Sequence, residues 1–273
     1  ITGNNIWTKS LRYHPRVILT GSVRVYDEVI YVPLSSREWA DGANPDYECC
    51  TFRGGVMALN ANTGEELWTT YSIPVPAKHM GDFNESGKKI LAPSGVPVWN
   101  SPTIDKKRRY MYVGTGENYS SPADDSSDAI IAYDIDNGDE VWRRQTLPGD
   151  AWNVACMFKD NPNCPVENGP DLDYSASSIL IETDKGDILV SGQKSGNAFG
   201  INPDTGKIIW EGNLQLKNPD NVRRGDEVKV TFSYDDNQIM NCKFQYKNEE
   251  FVEVDLSMVE KNESDEISNI EIL

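Results

Sequence analysis

One short pattern, a glycine followed four residues later by a tryptophan, recurs along this chain. It occurs at Gly3–Trp7, Gly64–Trp68, Gly138–Trp142 and Gly206–Trp210. A repeat at this spacing indicates a chain built from similar units that stack on one another, and it constrains the fold more than any single segment does.

Each complete copy of the repeat predicts two strands joined by a tight turn. The copies read ALNANTGEELW, AYDIDNGDEVW and GINPDTGKIIW. Alternating residues such as Val56 and Ala58, then Glu66 and Trp68, are typical of strands. The Asn or Asp that precedes the glycine is a strong hairpin signal.

The distance between copies predicts the architecture. Successive tryptophans lie 61, 74 and 68 residues apart, which leaves room for blades of about four short strands with insertions. We therefore expect a β-propeller with Trp68, Trp142 and Trp210 buried between blades, over residues 8–210. A β-sandwich is the alternative.

Composition excludes several classes of protein. The 273 residues carry 26 basic and 43 acidic side chains, a formal net charge of −17, so a nucleic-acid backbone would be repelled. An apolar share of 38% and an aromatic share of 10% exclude wholesale disorder. No apolar run reaches the roughly 18 residues of a membrane-spanning helix. Because the first repeat copy is only a tail, we expect a piece of a longer protein.

Longer stretches of the chain carry a family resemblance. They are CCTFRGGVMALNANTG (49–64), APSGVPVWNSPTID (92–105), YVGTGENYS (112–120), PGDAWNVAC (148–156), NCPVENGPDLDYSAS (163–177) and GQKSG (192–196). With the repeat, they resemble the quinoprotein alcohol dehydrogenases, in particular the polyvinyl-alcohol dehydrogenase-like branch. The resemblance implies an all-β fold over residues 1–214, a partial β-propeller with about three to four blades of an eight-bladed ring that holds pyrroloquinoline quinone (PQQ).

The resemblance also implies cofactor contacts for charged and sulfur-containing residues. Cys49 and Cys50 would form a disulfide against the quinone, although neighbouring Cα atoms lie only about 3.8 Å apart and such a bond is strained. Arg53 would bind the PQQ carboxylates. Lys194 would reach the quinone oxygens, where a cation stabilises the charge that develops as hydride arrives. Without the resemblance, Arg53 and Lys194 are ordinary solvated side chains.

Other cofactor-binding residues come from the segment 92–105. Trp99 lies outside the repeat, and the resemblance makes it the aromatic floor on which the quinone stacks. Packing in the core is the alternative for this side chain. Ser94 and Gly95 match a backbone turn beside the cofactor.

The resemblance implies a calcium ion and leaves the catalytic base open. Either Glu117 or Asn118 falls where relatives have a calcium ligand, and calcium beside the quinone acts as a Lewis acid. Relatives of the methanol dehydrogenase type have an aspartate directly after a tryptophan, where this chain has Asn153. An amide is no base, so either Asp150 or Asp173 accepts the alcohol proton, or the protein does not oxidise alcohols.

The cysteines and the missing haem motif bear on compartment and partners. The resemblance favours a second disulfide, between Cys156 and Cys164, and paired cysteines indicate a periplasmic or extracellular location. Cys242 is left over. No Cys-x-x-Cys-His haem motif is present, so a quinoprotein of this sequence would pass electrons to a cytochrome c-type acceptor elsewhere.

The end of the chain departs from the repeat. Residues 215–257 contain alternating apolar positions that predict an antiparallel hairpin joined at Asp235–Asn237. This segment weakly resembles the Hsp70 substrate-binding β-domain. Residues 258–273 form an acidic tail, expected to be frayed.

Two hypotheses from different classes follow. The first is a fragment of a PQQ- and calcium-dependent dehydrogenase that oxidises a secondary or polymeric alcohol, inactive if the truncation prevents ring closure. The second is a PQQ-free propeller that serves as a binding scaffold. The dehydrogenase hypothesis predicts one cleft, basic in character, that brings together Arg53, Trp99, Glu117 or Asn118, Asp150 and Lys194.

Overall fold

Three antiparallel sheets follow one another in a computed structural model that describes residues 3–182, 186–213, 228–234, 240–246 and 252–254. Blade 1 contains β1 (Val17–Ile18), β2 (Arg24–Tyr26), β3 (Val29–Ser36), β4 (Gly55–Asn60) and β5 (Glu66–Tyr71). Blade 2 contains β8 (Thr103–Asp105), β9 (Tyr110–Gly114), β10 (Ala129–Asp134) and β11 (Glu140–Gln145). Blade 3 contains β12 (Ile179–Ile181), β13 (Ile188–Gly192), β14 (Asn197–Ile201) and β15 (Ile208–Asn213). The predicted three meandering blades are confirmed, with one extra strand in blade 1.

The remaining elements are insertions. A hairpin of β6 (Lys78–Phe83) and β7 (Lys89–Ala92) separates blades 1 and 2. Helix α1 (Glu38–Asp41) lies between β3 and β4, and a 3-10 helix (Val154–Met157) lies between blades 2 and 3. These two helices have four residues each. No helix among the described residues is long enough to cross a membrane.

The repeat forms its hairpins through one side chain and one glycine. In blade 1, Asn60 Oδ1 accepts the backbone N–H groups of Asn62 and Thr63 at 2.9 and 3.1 Å. Asp134 and Asn202 repeat this arrangement in blades 2 and 3. A short polar side chain that caps its own turn stabilises it locally. The glycine that follows has φ between +70° and +79° in all three turns, a conformation that other residues adopt only with strain.

The glycine also receives a tryptophan from the previous copy of the repeat. A Cβ atom on Gly206 would lie 2.6 Å from Cε3 of Trp142, and one on Gly138 would lie 2.7 Å from Cε3 of Trp68. Trp7 packs on Gly64 in the same way, at 2.6 Å. Each indole therefore lies flat on the turn of the next blade, at a distance that only glycine permits.

The three repeat tryptophans differ in how deeply they are buried. Trp142 and Trp210 are buried, at 9% and 4% exposure, whereas Trp68 is only partly buried, so the prediction is wrong for its degree of burial. Trp142 Nε1 donates to the carbonyl of Pro203 at 3.0 Å, which fixes the indole across the boundary between blades 2 and 3. Trp210 packs on Gly200 of its own blade.

The apolar cores lie between adjacent blades. Tyr31 and Val56 of blade 1 pack with Met111 and Ile131 of blade 2. A second cluster joins blade 2 to Leu189, Phe199 and Ile201 of blade 3. A third cluster covers the other face of blade 1, where Val32, Leu34, Met57 and Leu59 pack with Cys50 and Phe52 of its own insertion.

The predicted C-terminal hairpin is present with a third strand. In β16 (Val228–Tyr234) and β17 (Met240–Tyr246), Val230 pairs with Phe244 and Phe232 with Cys242; β18 (Val252–Val254) then pairs with β17. The predicted turn residues 235–237 and the tail 258–273 lie outside the described residues.

The packing of indole on glycine is testable with a matched pair of substitutions. Gly206→Ala and Gly196→Ala both place a Cβ at positive φ, +70° and +86°, but only Gly206 has an indole against it. We expect Gly206→Ala to lower the free energy of unfolding by about 1–3 kcal/mol more than Gly196→Ala does. Urea denaturation measures the difference, and equal losses would contradict interblade packing at this turn.

Candidate active site

Backbone bridges join the loops of successive blades and bring predicted site residues together. Arg53 pairs with Gly95, Gly95 with Asn118, and Asn118 with Ala151. The hydrogen bonds are short: Gly54 N–H donates to Gly95 O at 2.9 Å, and Val96 N–H to Glu117 O at 2.7 Å. Segments that lie tens of residues apart in the sequence are thus held at one place.

Gly95 permits the close approach of these segments. Its φ is +98°, and a Cβ atom there would collide with the backbone nitrogen of Tyr119. The neighbouring Ser94 is fully buried and its hydroxyl lies 2.6 Å from that of Ser120. Ser94 and Gly95 therefore act through the backbone and do not line the adjacent cleft.

A cleft of about 270 Å³ opens beside these bridges. Aromatic and apolar side chains form most of its wall, and three carboxylates and one amine supply its charge. The lining residues are Ile18, Thr20, Ser35, Trp39, Pro97, Trp99, Glu117, Tyr119, Trp152, Asp171, Asp173 and Lys194. Of the predicted site residues, the cleft therefore includes Trp99, Glu117, Asp173 and Lys194.

The charged groups form one hydrogen-bonded cluster. Lys194 Nζ donates to Asp171 Oδ1 and to Asp173 Oδ2, each at 2.8 Å. Asp173 Oδ1 accepts the backbone N–H of Glu117 at 3.1 Å. One oxygen from each of Glu117, Asp171 and Asp173 lies within 4.8 Å of the others. Lys194 Nζ also lies 5.4 Å from the centre of the Trp99 ring, within the range of a cation–π contact.

Burial and like charge shift the pKa values of this cluster. Burial, followed by the charge of Asp173, raises the pKa of Glu117 well above its ordinary value. The same two causes raise the pKa of Asp171 to about 6. Burial lowers the pKa of Lys194, but the opposing charges of Asp173 and Asp171 prevail and raise it. The amine therefore stays charged, and it balances only one of the three acids.

The prediction of a basic cleft is wrong in sign. Three acids and one lysine line the cleft, and Arg53, which was expected to add positive charge, lies elsewhere. Its guanidinium sits 3.9 Å from the centre of the Tyr71 ring and donates to the carbonyls of Ile73 and Pro74 at 3.3 and 3.2 Å. Stacking and two carbonyl acceptors hold this side chain outside the cleft.

Both predicted disulfides are present. Cys49 is joined to Cys50, and Cys156 to Cys164. Cys49 and Cys50 are buried in a cluster with Phe52 and Tyr119. Because Tyr119 lines the cleft and the cysteines do not, the adjacent-cysteine disulfide supports the cleft wall from behind.

Two other predicted site residues face away from the cleft. The side chain of Asn118 donates to Ser94 O at 3.3 Å and accepts from Asp124 N–H at 2.9 Å, so between Glu117 and Asn118 only Glu117 reaches the cleft. Asp150 is fully buried, and its carboxylate accepts the N–H groups of Asp171 and Leu172. Burial and these bonds remove Asp150 from contact with any molecule in the cleft.

Asn153 explains why the sequence departs from relatives of the methanol dehydrogenase type. Its Nδ2 donates to Tyr119 O at 2.9 Å and to Asn163 O at 2.8 Å, and its Oδ1 accepts Ala155 N–H at 2.8 Å. An aspartate cannot donate to two carbonyls. Asn153 therefore joins the cleft wall to the loop of the Cys156–Cys164 disulfide.

The sequence interpretation missed Asp171, Trp39 and Trp152 as cleft residues. Asp171 is two residues from Asp173, which the sequence singled out, so nearness in the chain was the available signal; with φ at +56°, Asp171 is not in an extended conformation. Trp39 and Trp152 gave no such signal, because they reach the cleft only through the packing of loops from different blades.

Comparison with known proteins identifies the class. A family model described as "Outer membrane protein assembly factor BamB" matches residues 1–272. The quinohemoprotein alcohol dehydrogenase of Comamonas testosteroni has the same fold, with a TM-score of 0.55, 20% identity, and coverage of 87% of this chain and 38% of that one. The match over residues 1–272 shows that the chain belongs to the family that the model describes, a family of PQQ-type β-propellers.

Sequence relatives define the branch more narrowly. The chain is 38% identical to the polyvinylalcohol dehydrogenase of Sphingopyxis sp. (strain 113P3) over 79% of its own length, and 36% identical to that of a Pseudomonas sp. over 77%. It spans about a third of the length of these relatives, 33% of each. The predicted resemblance to quinoprotein alcohol dehydrogenases of the polyvinyl-alcohol branch is confirmed. The match to residues 1–272 includes the segment 215–257, whose resemblance to Hsp70 stays a prediction.

The hydrogen bonds of Asn153 predict that an aspartate at this position, as in relatives of the methanol dehydrogenase type, would destabilise this chain. Asn153→Asp puts a carboxylate against two carbonyl oxygens in a buried site, so we expect the free energy of unfolding to fall by about 3 kcal/mol. Asn62→Asp, on an exposed turn, is the control and is expected to change stability by less than about 0.5 kcal/mol. Urea denaturation distinguishes them, and a neutral Asn153→Asp would contradict this role.

The contact of Asp171 with Lys194 predicts a change in titration. In metal-free protein we expect the pKa of Asp171 near 6, and Lys194→Met should raise it further, because the lysine lowers it through charge and hydrogen bonding. Carboxyl-carbon NMR measures the titration directly. The exposed Lys207→Met is the control, and a pKa of Asp171 that is unchanged by Lys194→Met would show that the ion pair is not formed in solution.

Proposed function

We propose that this chain is part of a PQQ- and calcium-dependent alcohol dehydrogenase and that the cleft is its active site. One observation carries the proposal: three carboxylates and a single lysine line one cleft, and the lysine lies 5.4 Å from the centre of the Trp99 ring. A propeller that serves only as a scaffold has no need for like charges in a buried position, since burial of unpaired carboxylates is costly. The names of the relatives, polyvinylalcohol dehydrogenase and quinohemoprotein alcohol dehydrogenase, support the same function.

The residues of the cleft fit a hard cation. Calcium prefers oxygen ligands, and carboxylates are the usual ones. Glu117 and Asp173 are buried carboxylates within reach of one another. Burial, followed by the charge of Asp173, raises the pKa of Glu117, and a cation between the two groups would favour their charged forms. We assign Glu117 and Asp173 to the cation.

The residues fit a flat, anionic cofactor on the other side of the cleft. Trp99 offers an aromatic surface, and Lys194 lies beside it as the one cation among the lining residues. Lys194 and Trp99 would hold PQQ, which would supply a hydride acceptor, and Glu117 and Asp173 would hold calcium, which would supply a Lewis acid. Lys194 then stabilises the negative charge that develops, and Trp99, Trp152 and Pro97 exclude water.

Asp171 is the carboxylate that we assign to accept the hydroxyl proton of the alcohol. Its side chain is 33% exposed, against 5% for Asp173, and only one of its oxygens is bonded to Lys194. A general base must come within hydrogen-bond distance of the proton it removes. Asp150, proposed from the sequence, lacks this access, and Asp173 has both oxygens engaged.

The proposal extends to the surroundings of the enzyme. The substrate is a secondary or polymeric alcohol, and the two electrons taken from it leave to a cytochrome c-type acceptor. Two disulfides fit a periplasmic or extracellular location. The alternative, a PQQ-free scaffold, is supported by the description of the matching family as an outer membrane protein assembly factor.

Binding of the cation and cofactor tests the proposal on the chain as it exists. Calcium affinity is measured by competition with terbium, whose luminescence is sensitised by nearby tryptophan. We expect Glu117→Gln to weaken calcium binding by about 10–100-fold and the exposed Glu65→Gln to leave it unchanged. Calcium binding that is absent in the unmodified chain, or equal in both variants, would contradict the assignment.

Cofactor binding separates the enzyme from the scaffold. In the presence of calcium, PQQ should quench tryptophan fluorescence, and Lys194→Met should weaken its affinity by about tenfold or more, with Lys207→Met as the control. Oxidation of a secondary alcohol by the loaded chain, followed with cytochrome c as acceptor, measures activity. A chain that binds neither calcium nor PQQ would contradict the proposal and favour the scaffold.

A further inference from the structure

Two buried carboxyl groups that the proposed reaction does not use lie behind the cleft. Asp128 and Asp150 are both fully buried. Neither takes part in an ion pair with any residue that the structure describes. Buried acids without a cation are rare unless other groups hold them, so the partners of each need an account.

Asp150 holds the loop that carries the acids of the cleft. Its Oδ1 accepts the N–H of Asp171 at 3.3 Å, and its Oδ2 accepts the N–H of Leu172 at 3.1 Å. A Cβ atom on Gly169 would collide with Asp150 Oδ1, so the loop lies directly against this carboxylate. The acids on either side of Leu172 are the two that contact Lys194.

Asp128 is fixed in place beside Asp150, and a hydrogen bond between the two side chains is among the causes that shift the pKa of each. Its backbone N–H donates to Gly116 O at 3.3 Å, and its carbonyl accepts the N–H of Thr146 at 3.1 Å. Neither of its carboxyl oxygens receives a hydrogen bond. Burial, with the charge of Asp150 as the second cause, raises the pKa of Asp128 to about 10.

A single proton removes the repulsion between these two buried carboxyl groups. Two adjacent buried carboxylates repel each other strongly, so one of them keeps its proton. Asp150 accepts two backbone N–H groups, which favour its charged form, and Asp128 accepts none. The proton therefore resides on Asp128, which becomes a donor to Asp150.

We infer that Asp128 and Asp150 are a positioning pair, in which the Asp128 hydroxyl donates to the Asp150 carboxylate and thereby fixes the backbone of Asp171 and Leu172. Through this backbone the pair sets where Asp171 and Asp173 lie relative to Glu117. The structural part of this inference is independent of the cofactor. Its consequence for cation binding rests on the proposed function.

Three variants separate positioning from general stability. Asp128→Leu removes the donor, whereas Asp128→Asn keeps a donor of nearly the same shape. Ile131→Ala, a core substitution in β10, the strand that begins directly after Asp128, is a control that lowers stability and leaves Asp128 and Asp150 unchanged. Hydrogen exchange at the amides of Asp171 and Leu172, and terbium affinity, are measured under conditions where all variants are folded.

For Asp128→Leu we expect protection of the two amides to fall by about tenfold and terbium affinity to fall by about tenfold. Asp128→Asn should stay within about threefold of the unmodified chain in both measurements. Ile131→Ala should likewise stay close to the unmodified chain. Unchanged protection in Asp128→Leu, or an equal loss in Asp128→Asn and Ile131→Ala, would overturn the inference. Loss of protection in Asp128→Leu, in a chain that binds no terbium, would uphold the pair and contradict the proposed cation site instead.

Discussion

The contact between an indole and a glycine turn is the interaction on which the rest of this structure depends. Each blade is a small antiparallel sheet with a face buried against a neighbouring blade, so its packing depends on where the next blade lies. Trp142 does this at Gly206, and Trp68 at Gly138. Because the indole lies on a turn whose geometry also requires glycine, one residue serves both the hairpin and the contact between blades.

Fixing the blades brings their loops together, and the loops form the cleft. The bridges from Arg53 to Gly95, Asn118 and Ala151 are made by the backbone. Several side chains near them, such as Ser94 and Asn153, bond to neighbouring loops and carry no reactive group into the cleft. These residues therefore support the cleft wall. The reactive groups belong to the few side chains that project into the cleft.

The electrostatics of the cleft follow from an excess of acid over base in a buried place. Lys194 bonds to two carboxylates and leaves Glu117 without a cation among the lining residues. Burial, together with the charge of Asp173, raises the pKa of Glu117, and the excess of carboxylates makes the cluster suited to a metal ion. Behind the cleft, Asp128 and Asp150 are likewise two buried acids without a cation. There we infer that a proton on Asp128 removes the repulsion between them.

The sequence by itself determined the blades, because hairpins and the glycine–tryptophan repeat are local patterns whose physics acts within a dozen residues. It also identified Trp99, Glu117, Asp173 and Lys194, which lie in segments that resemble a known family. Only the tertiary structure decided which charged side chains reach the cleft: Asp150 turns to the backbone of Asp171, Arg53 stacks on Tyr71, and Asp171 enters the cleft. Those outcomes depend on contacts between loops of different blades, and the sign of the charge in a cleft is a sum over such contacts that no single segment contains.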